Sequence, residues 1–147
     1  STLVAALELF KRITDDVYEI PEYITNTSDV YYLLARELED LESEKFYCLY
    51  LDIKNKLIAK KRLFVGGLTA SVVSPRDIFK HAIRLNSPKA VFVHNHPSGN
   101  PYPSKADISK TEKLIEGGNL LGINVIDHIV IGKNNCFSII YNQKYEF

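Results

Sequence analysis

The chain has 147 residues, of which 46% are hydrophobic and 24% charged, as expected for one soluble globular domain with its own core. Its formal net charge is zero, which argues against a protein that mainly binds nucleic acid phosphates or an acidic membrane surface. No apolar run approaches the roughly 20 residues of a membrane-spanning helix, and the first residues lack the basic leader and cleavage site of a signal peptide. The two cysteines, Cys48 and Cys136, are far apart and form no CxxC motif, so we expect reduced thiols in a cytoplasmic protein.

The hydrophobic pattern alternates between helical and strand periodicities along the chain. Residues 1–26 are interpreted as a helix and a connector that begin abruptly, as if cut from a longer linker region. The predicted elements that follow are a helix at 27–43, strands at 45–53 and 56–67, a short edge strand at 69–73, a helix at 74–86, a strand at 89–96, a helix at 104–122, and strands at 123–132 and 136–140. This order predicts an α/β domain whose mixed sheet carries helices on its faces.

Helix start and stop signals define several of these boundaries. Thr27 or Ser28 is predicted to cap the first helix of the domain. Ser74 caps the next helix, because a proline follows it at the first helical position. Ser104 caps the third helix, and Gly122 follows its last residue.

Two of the four histidines lie one residue apart, in the stretch "VFVHNHPSGNPYPSKAD". Side chains at alternate positions of a strand point to the same side, so His94 and His96 should converge and form half of a zinc site. The proline-rich loop can bring Asp107, in the first turn of the next helix, back over the strand end as a third ligand. Three protein ligands leave an open fourth position for water, which is typical of catalytic zinc sites. A surface histidine pair beside an ordinary helix start is the alternative that the residues alone leave open.

The spacing H-x-H-x7-S-x2-D reads here as His94, His96, Ser104 and Asp107, and it resembles the metal-binding signature of the JAMM (MPN+) metalloisopeptidases. The longer stretches "EKFYCLYLDIKNKLI", "SPRDIFKHAIRLN", "HNHPSG" and "LLGINVIDHIVIG" are similar to the RadC family, from Thr27 to about Ile140. The resemblance implies an MPN/JAB domain over residues 27–147, with a curved mixed β-sheet flanked by helices and an architecture like that of the cytidine deaminases. Deaminase chemistry itself is disfavoured, because the H-x-E…P-C-x-x-C signature is absent.

The resemblance also implies an activity and a set of roles. The chain would be a zinc-dependent hydrolase that cleaves peptide or isopeptide amide bonds, with Zn²⁺ held by His94, His96 and Asp107. Glu44 would be the general base outside the coordination sphere, with Glu42 as a competitor for this role. Ser104 would help to stabilise the oxyanion of the tetrahedral intermediate.

Other functional classes stay open, namely a DNA-repair or DNA-processing factor and a zinc-stabilised interaction module. The helix-hairpin-helix region usual in RadC proteins has no counterpart in these residues, so we expect weak or no nucleic-acid binding by this fragment. Asn95 should point away from the two histidines and support the loop through hydrogen bonds. Asp127 and His128 interrupt an apolar strand, either as a satisfied buried pair or as partners of a zinc ligand. Neither the substrate nor the oligomeric state can be read from the sequence.

Overall fold

The fold is centred on a single mixed sheet of six strands. The computed structural model describes residues 1–17, 21–66 and 73–147. Its strands are β1 (Glu44–Leu51), β2 (Leu57–Gly66), β3 (Lys89–Asn95), β4 (Asn124–Ile131), β5 (Asn135–Ser138) and β6 (Gln143–Glu146). Their order across the sheet is β2-β1-β3-β4-β5-β6, in which β3 and β4 are parallel and every other neighbouring pair is antiparallel. The mixed sheet and the β1–β2 hairpin are therefore as predicted, whereas the predicted edge strand at 69–73 falls, apart from its last residue, outside the described residues.

In the part of the chain that the structure describes, four helices accompany the sheet: α1 (Thr2–Val17), α2 (Thr27–Leu38), α3 (Pro75–Arg84) and α4 (Lys105–Leu121). The caps of α3 and α4 are as predicted, including Gly122 in the left-handed conformation after α4. The predicted cap of α2 is wrong, because Asn26 occupies that position and its side-chain oxygen accepts a 3.0 Å hydrogen bond from Asp29 N–H. None of the described helices is long and apolar enough to cross a membrane.

Strand β6 was missed in the prediction from sequence, in which the last strand is the one that contains Cys136. It pairs antiparallel with β5, from Asn135 opposite Glu146 to Ser138 opposite Gln143. Its sequence, QKYE, has no apolar alternation, and its residues are exposed or only partly buried. Because hydrophobic alternation is the main signal for a strand in a sequence, an edge strand of this kind leaves almost no trace.

Each face of the sheet is covered by its own apolar layer. On one face, α2 packs against alternate residues of β1, β3 and β4. On the other face, α3 and α4 cover a second cluster that includes Phe46, Phe92 and Leu114. His94 continues the row of Phe92 along β3, because residues two apart on a strand share a face. The sheet register therefore places His94 beneath the layer formed by α3 and α4.

Helix α4 connects the two parallel strands and lies close against the beginning of β4. A Cβ atom at Gly118 would lie 2.5 Å from the carbonyl oxygen of Ile123, so only glycine permits this approach. The amide N–H of Ile123 also donates a 2.8 Å hydrogen bond to the Gly118 carbonyl. The close contact holds the C-terminal end of α4 against β4, and the first turn of the helix lies over the end of β3, where Asp107 reaches His94 and His96.

Candidate metal centre

Four side chains from three elements converge where β3 ends. Glu44 is the first residue of β1, His94 lies near the end of β3, His96 follows that strand, and Asp107 is in the first turn of α4. One nitrogen or oxygen atom of each side chain lies within 4.8 Å of the corresponding atoms of the other three. The structure thus brings together the three predicted metal ligands and Glu44, the predicted base, in a cluster that can hold a metal ion.

The distances between the donor atoms test whether a small divalent ion would fit. The Nε2 atoms of His94 and His96 are 3.1 Å apart, and the two carboxylate oxygens of Asp107 lie 3.5 Å from the first and 3.2 Å from the second. Zinc–ligand bonds of 2.0–2.1 Å at tetrahedral angles require donor separations of about 3.3 Å. The three separations are close to that value, so these side chains can surround an ion of zinc's size, while the Glu44 carboxylate lies slightly farther out, with Oε1 3.7 Å from His94 Nε2.

A capping box orients the Asp107 carboxylate. The backbone N–H of Ser104 donates to Asp107 Oδ2 at 2.9 Å, and the backbone N–H of Asp107 donates to Ser104 Oγ at 3.1 Å. Burial raises the pKa of Asp107, but the adjacent His94 and His96 rings and the Ser104 N–H outweigh it and hold this pKa well below its ordinary value. The residue is therefore an anionic oxygen donor at neutral pH, whether or not a cation is present.

The Nδ1 atom of the His96 imidazole forms a hydrogen bond to the backbone of the loop that follows β3. This atom lies 2.9 Å from the carbonyl oxygen of Asn100. Because a carbonyl can only accept, Nδ1 carries a proton, and in the neutral ring Nε2 is therefore the nitrogen that can bind a metal ion. Burial lowers the pKa of His96, but the hydrogen bond with Asp107 and the Asn100 carbonyl raise it, and the net shift is upward. His96 and Glu44 keep about a fifth of their side-chain surface exposed, which opens the site to solvent on their side.

The loop between β3 and α4 is anchored to the turn after β4. Gly99 adopts a positive φ of 84°, and its carbonyl accepts a 3.0 Å hydrogen bond from Lys133 N–H. A Cβ atom at Gly132 would lie 2.3 Å from the Gly99 carbonyl oxygen, so the two segments meet this closely only because residue 132 is glycine. These contacts agree with the expectation that the proline-rich loop brings Asp107 back over the end of β3.

Asn95 points to the opposite side from the two histidines, as predicted, and it is fully buried. Its Oδ1 accepts a 2.7 Å hydrogen bond from Lys45 N–H, and its Nδ2 donates to the Ser43 carbonyl at 3.1 Å. The expectation that Asn95 supports the loop after β3 is therefore wrong, because both hydrogen bonds go to residues around the beginning of β1. Asn95 instead anchors the residues on either side of Glu44, and so holds the candidate base beside the histidines.

The structure separates the roles of Asp127 and His128, which the sequence left open. His128 Nε2 lies 2.7 Å from His94 Nδ1, and His128 Nδ1 lies 2.6 Å from the hydroxyl oxygen of Thr111. Asp127 instead accepts a 2.6 Å hydrogen bond from the hydroxyl of Ser138, and it stabilises the end of β5. Thr111 was not predicted as part of the site, although its position four residues after Asp107 places both residues on the same face of α4.

The sheet order and the cluster over the end of β3 define the class of the protein, an α/β JAB domain with a site that can hold a metal ion. The chain belongs to the family described as the RadC-like JAB domain, which matches residues 24–145.

Its relatives include proteins from archaea and bacteria. A UPF0758 protein of Methanosarcina mazei is 44% identical over 137 residues, which are 93% of this chain and 60% of that protein. A UPF0758 protein of Listeria welshimeri is 42% identical over 139 residues, which are 95% of this chain and 62% of that protein. The chain thus spans about three fifths of the length of these relatives, and their names state no activity.

Proposed function

We propose that this domain is a zinc-dependent metallohydrolase that cleaves peptide or isopeptide amide bonds. The observation that supports this most directly is the arrangement of His94, His96 and Asp107 at tetrahedral donor spacing, with the Glu44 carboxylate just beyond them. A site that served only to stabilise the fold would have no need of this additional carboxylate, whereas hydrolysis needs a base beside the metal. Membership of the RadC-like JAB family agrees with the proposal, although the names of the relatives do not state an activity.

In this proposal His94, His96 and Asp107 hold the zinc ion through their two Nε2 atoms and a carboxylate oxygen. When bound, zinc would lower the pKa of a coordinated water and polarise the carbonyl of the scissile amide. The Glu44 carboxylate would accept a proton from the attacking water and return it to the departing amine. This role requires Glu44 to lie close to the ligands and to be reached by water, and its 3.7 Å separation from His94 Nε2 and its partial exposure meet that requirement.

Ser104 has a second proposed role besides capping α4. Its hydroxyl oxygen accepts the N–H of Asp107, so the hydroxyl proton remains available to donate to an oxyanion. The capping box holds the hydroxyl in the same helical turn as the carboxylate ligand. We therefore expect Ser104→Ala to reduce hydrolysis more than it reduces zinc binding.

Metal analysis and a peptide screen test the proposal together. We expect one zinc ion per chain after metal-stripped protein is resupplied with zinc, and we expect His96→Ala to lose it. His81→Ala is the matched control, because His81 lies on α3 and is not a member of the cluster. Loaded protein is then assayed on a broad library of peptides and isopeptide-linked peptides. A parent protein that binds no zinc would refute the metal site, and a loaded protein that cleaves nothing in the library would favour a zinc-stabilised interaction module.

A further inference from the structure

We propose that Thr111 and His128 are positioning residues that keep the proton of His94 on Nδ1 and thereby leave Nε2 free to bind the metal. The inference rests on the proposed metal site and deepens it. It assigns a role to two buried polar side chains that lie outside the cluster of Glu44, His94, His96 and Asp107.

The direction of the hydrogen bonds starts from the Thr111 hydroxyl. This group has a single proton, and it donates it to the carbonyl oxygen of Asp107 at 2.7 Å. The Thr111 oxygen is therefore an acceptor toward His128 Nδ1 at 2.6 Å, so Nδ1 of His128 carries a proton. His128 Nε2 is then unprotonated and accepts a hydrogen bond from His94 Nδ1–H at 2.7 Å. His94 consequently presents the lone pair of Nε2 toward the metal position.

The opposite orientation of the same hydroxyl would reverse the chain. If Thr111 donated to His128 Nδ1, then His128 would donate from Nε2 to His94 Nδ1. The remaining proton of a neutral His94 would then be on Nε2, where it would block metal binding. The Asp107 carbonyl decides between the two states, because as a pure acceptor it draws the Thr111 proton toward itself.

Burial shields this network from bulk solvent. His94, His128 and Thr111 are each at most 2% exposed, so bulk water has little access with which to replace a missing partner. The His128 ring is held edge-on by two aromatic rings, with centroid distances of 5.5 Å to Phe46 and 5.9 Å to Phe92. These contacts prevent the ring from turning away from His94.

The network also joins the two ends of the site. It runs from His94 on β3 through His128 on β4 to Thr111 on α4, and it closes on the backbone of Asp107. Two of the proposed ligands are thus connected by their supporting residues. His96 reaches the same tautomer independently, through the Asn100 carbonyl.

The first test needs no activity and no metal. In uniformly ¹⁵N-labelled, zinc-free protein at neutral pH, long-range ¹H–¹⁵N correlations report which ring nitrogen of each histidine carries the proton. The chain has four histidines, so the His94 signals can be assigned by comparison with variants in which one histidine at a time is replaced. We expect His94 to be protonated on Nδ1 and unprotonated on Nε2. A zinc-free parent protein with the His94 proton on Nε2 would overturn the inference, even if the protein binds zinc.

The second test measures zinc affinity by competition with a chelator. Thr111→Val removes the hydroxyl at nearly constant volume and should weaken zinc binding by about 10- to 100-fold, as for other partners of metal ligands. Thr111→Ser keeps the hydroxyl and should restore most of the affinity. His128→Gln keeps an acceptor for His94 Nδ1–H, so it should bind zinc more tightly than His128→Phe.

Ser138→Ala is the control for a purely structural effect. It removes a buried hydroxyl that donates to Asp127, the neighbour of His128, without touching His94. It should lower stability and leave zinc affinity within about threefold of the parent, well below the effect expected for a partner of a ligand. Equal zinc affinities of Thr111→Val and Thr111→Ser would show that the hydroxyl has no positioning role. A parent that binds no zinc would refute the proposed function, while the NMR experiment would still decide the tautomer.

Discussion

Replacing Asn95 by alanine should destabilise the domain and separate the proposed base from the proposed metal ligands. The Asn95 side chain is fully buried between the end of β3 and the beginning of β1. It makes two hydrogen bonds to backbone groups, at 2.7 Å to Lys45 N–H and at 3.1 Å to the Ser43 carbonyl. Glu44 lies between these two residues, so the substitution removes the side-chain support on both sides of the base.

The size of the effect follows from the two groups left without a partner. An unsatisfied buried donor or acceptor costs about 1–3 kcal/mol. Ser43 and Lys45 are themselves only partly buried, so water can reach their backbone groups in part, and the lower half of that range applies to each. We therefore expect Asn95→Ala to lower the free energy of unfolding by about 2–4 kcal/mol, a large share of the 5–15 kcal/mol typical of a domain.

Urea denaturation of the zinc-free protein measures this loss, with Asn119→Ala as an exposed asparagine control that should change stability by about 0.5 kcal/mol or less. Zinc affinity of the folded variant should stay within about threefold of the parent, because the support of His94, His96 and Asp107 is intact. Hydrolysis should fall through kcat, since the base loses its position. A folded Asn95→Ala protein that is destabilised by less than about 1 kcal/mol would refute the expected loss of unfolding free energy, because the freed backbone groups would then have found other partners.

Three further expectations concern the base, the thiols and nucleic acid. Glu44→Gln should retain zinc and lose hydrolysis by ~10²-fold or more, and undiminished activity would transfer the role of base to Glu42. Burial raises the pKa of the Cys136 thiol to about 12 and that of the Cys48 thiol even further. Neither thiol should therefore react with a thiol reagent at about pH 8 until the protein is unfolded. Rapid labelling of the native protein would contradict the burial of these thiols. Oligonucleotide binding, measured by fluorescence anisotropy, should be strongly salt-sensitive and no tighter than about 10⁻⁶ M, because the net charge is zero; sub-micromolar binding that survives a doubling of salt would favour the DNA-processing alternative.

Local signals in the sequence were sufficient for the order of most elements and for the motif residues. Capping and breaking residues act within a few positions, so the start of α4 at Ser104 and its end at Gly122 could be read directly. The shared direction of His94 and His96 also follows from the two-residue period of a strand. Where the local signal was weak or ambiguous the prediction failed, as for the cap of α2 at Asn26 and the polar edge strand β6.

The support of the site depends on contacts that no local pattern contains. His128 is 34 residues from His94 in the chain, and Asn95 is 50 residues from Lys45. The register of β3 and β4 places His128 opposite Phe92 and hence beneath His94, and a shift of one residue would turn its side chain to the other face of the sheet. The sequence by itself determined which side chains can bind a metal, because their chemistry and spacing are local. Only the tertiary structure decided which partners orient them, because strand register and helix packing bring distant residues within hydrogen-bond distance.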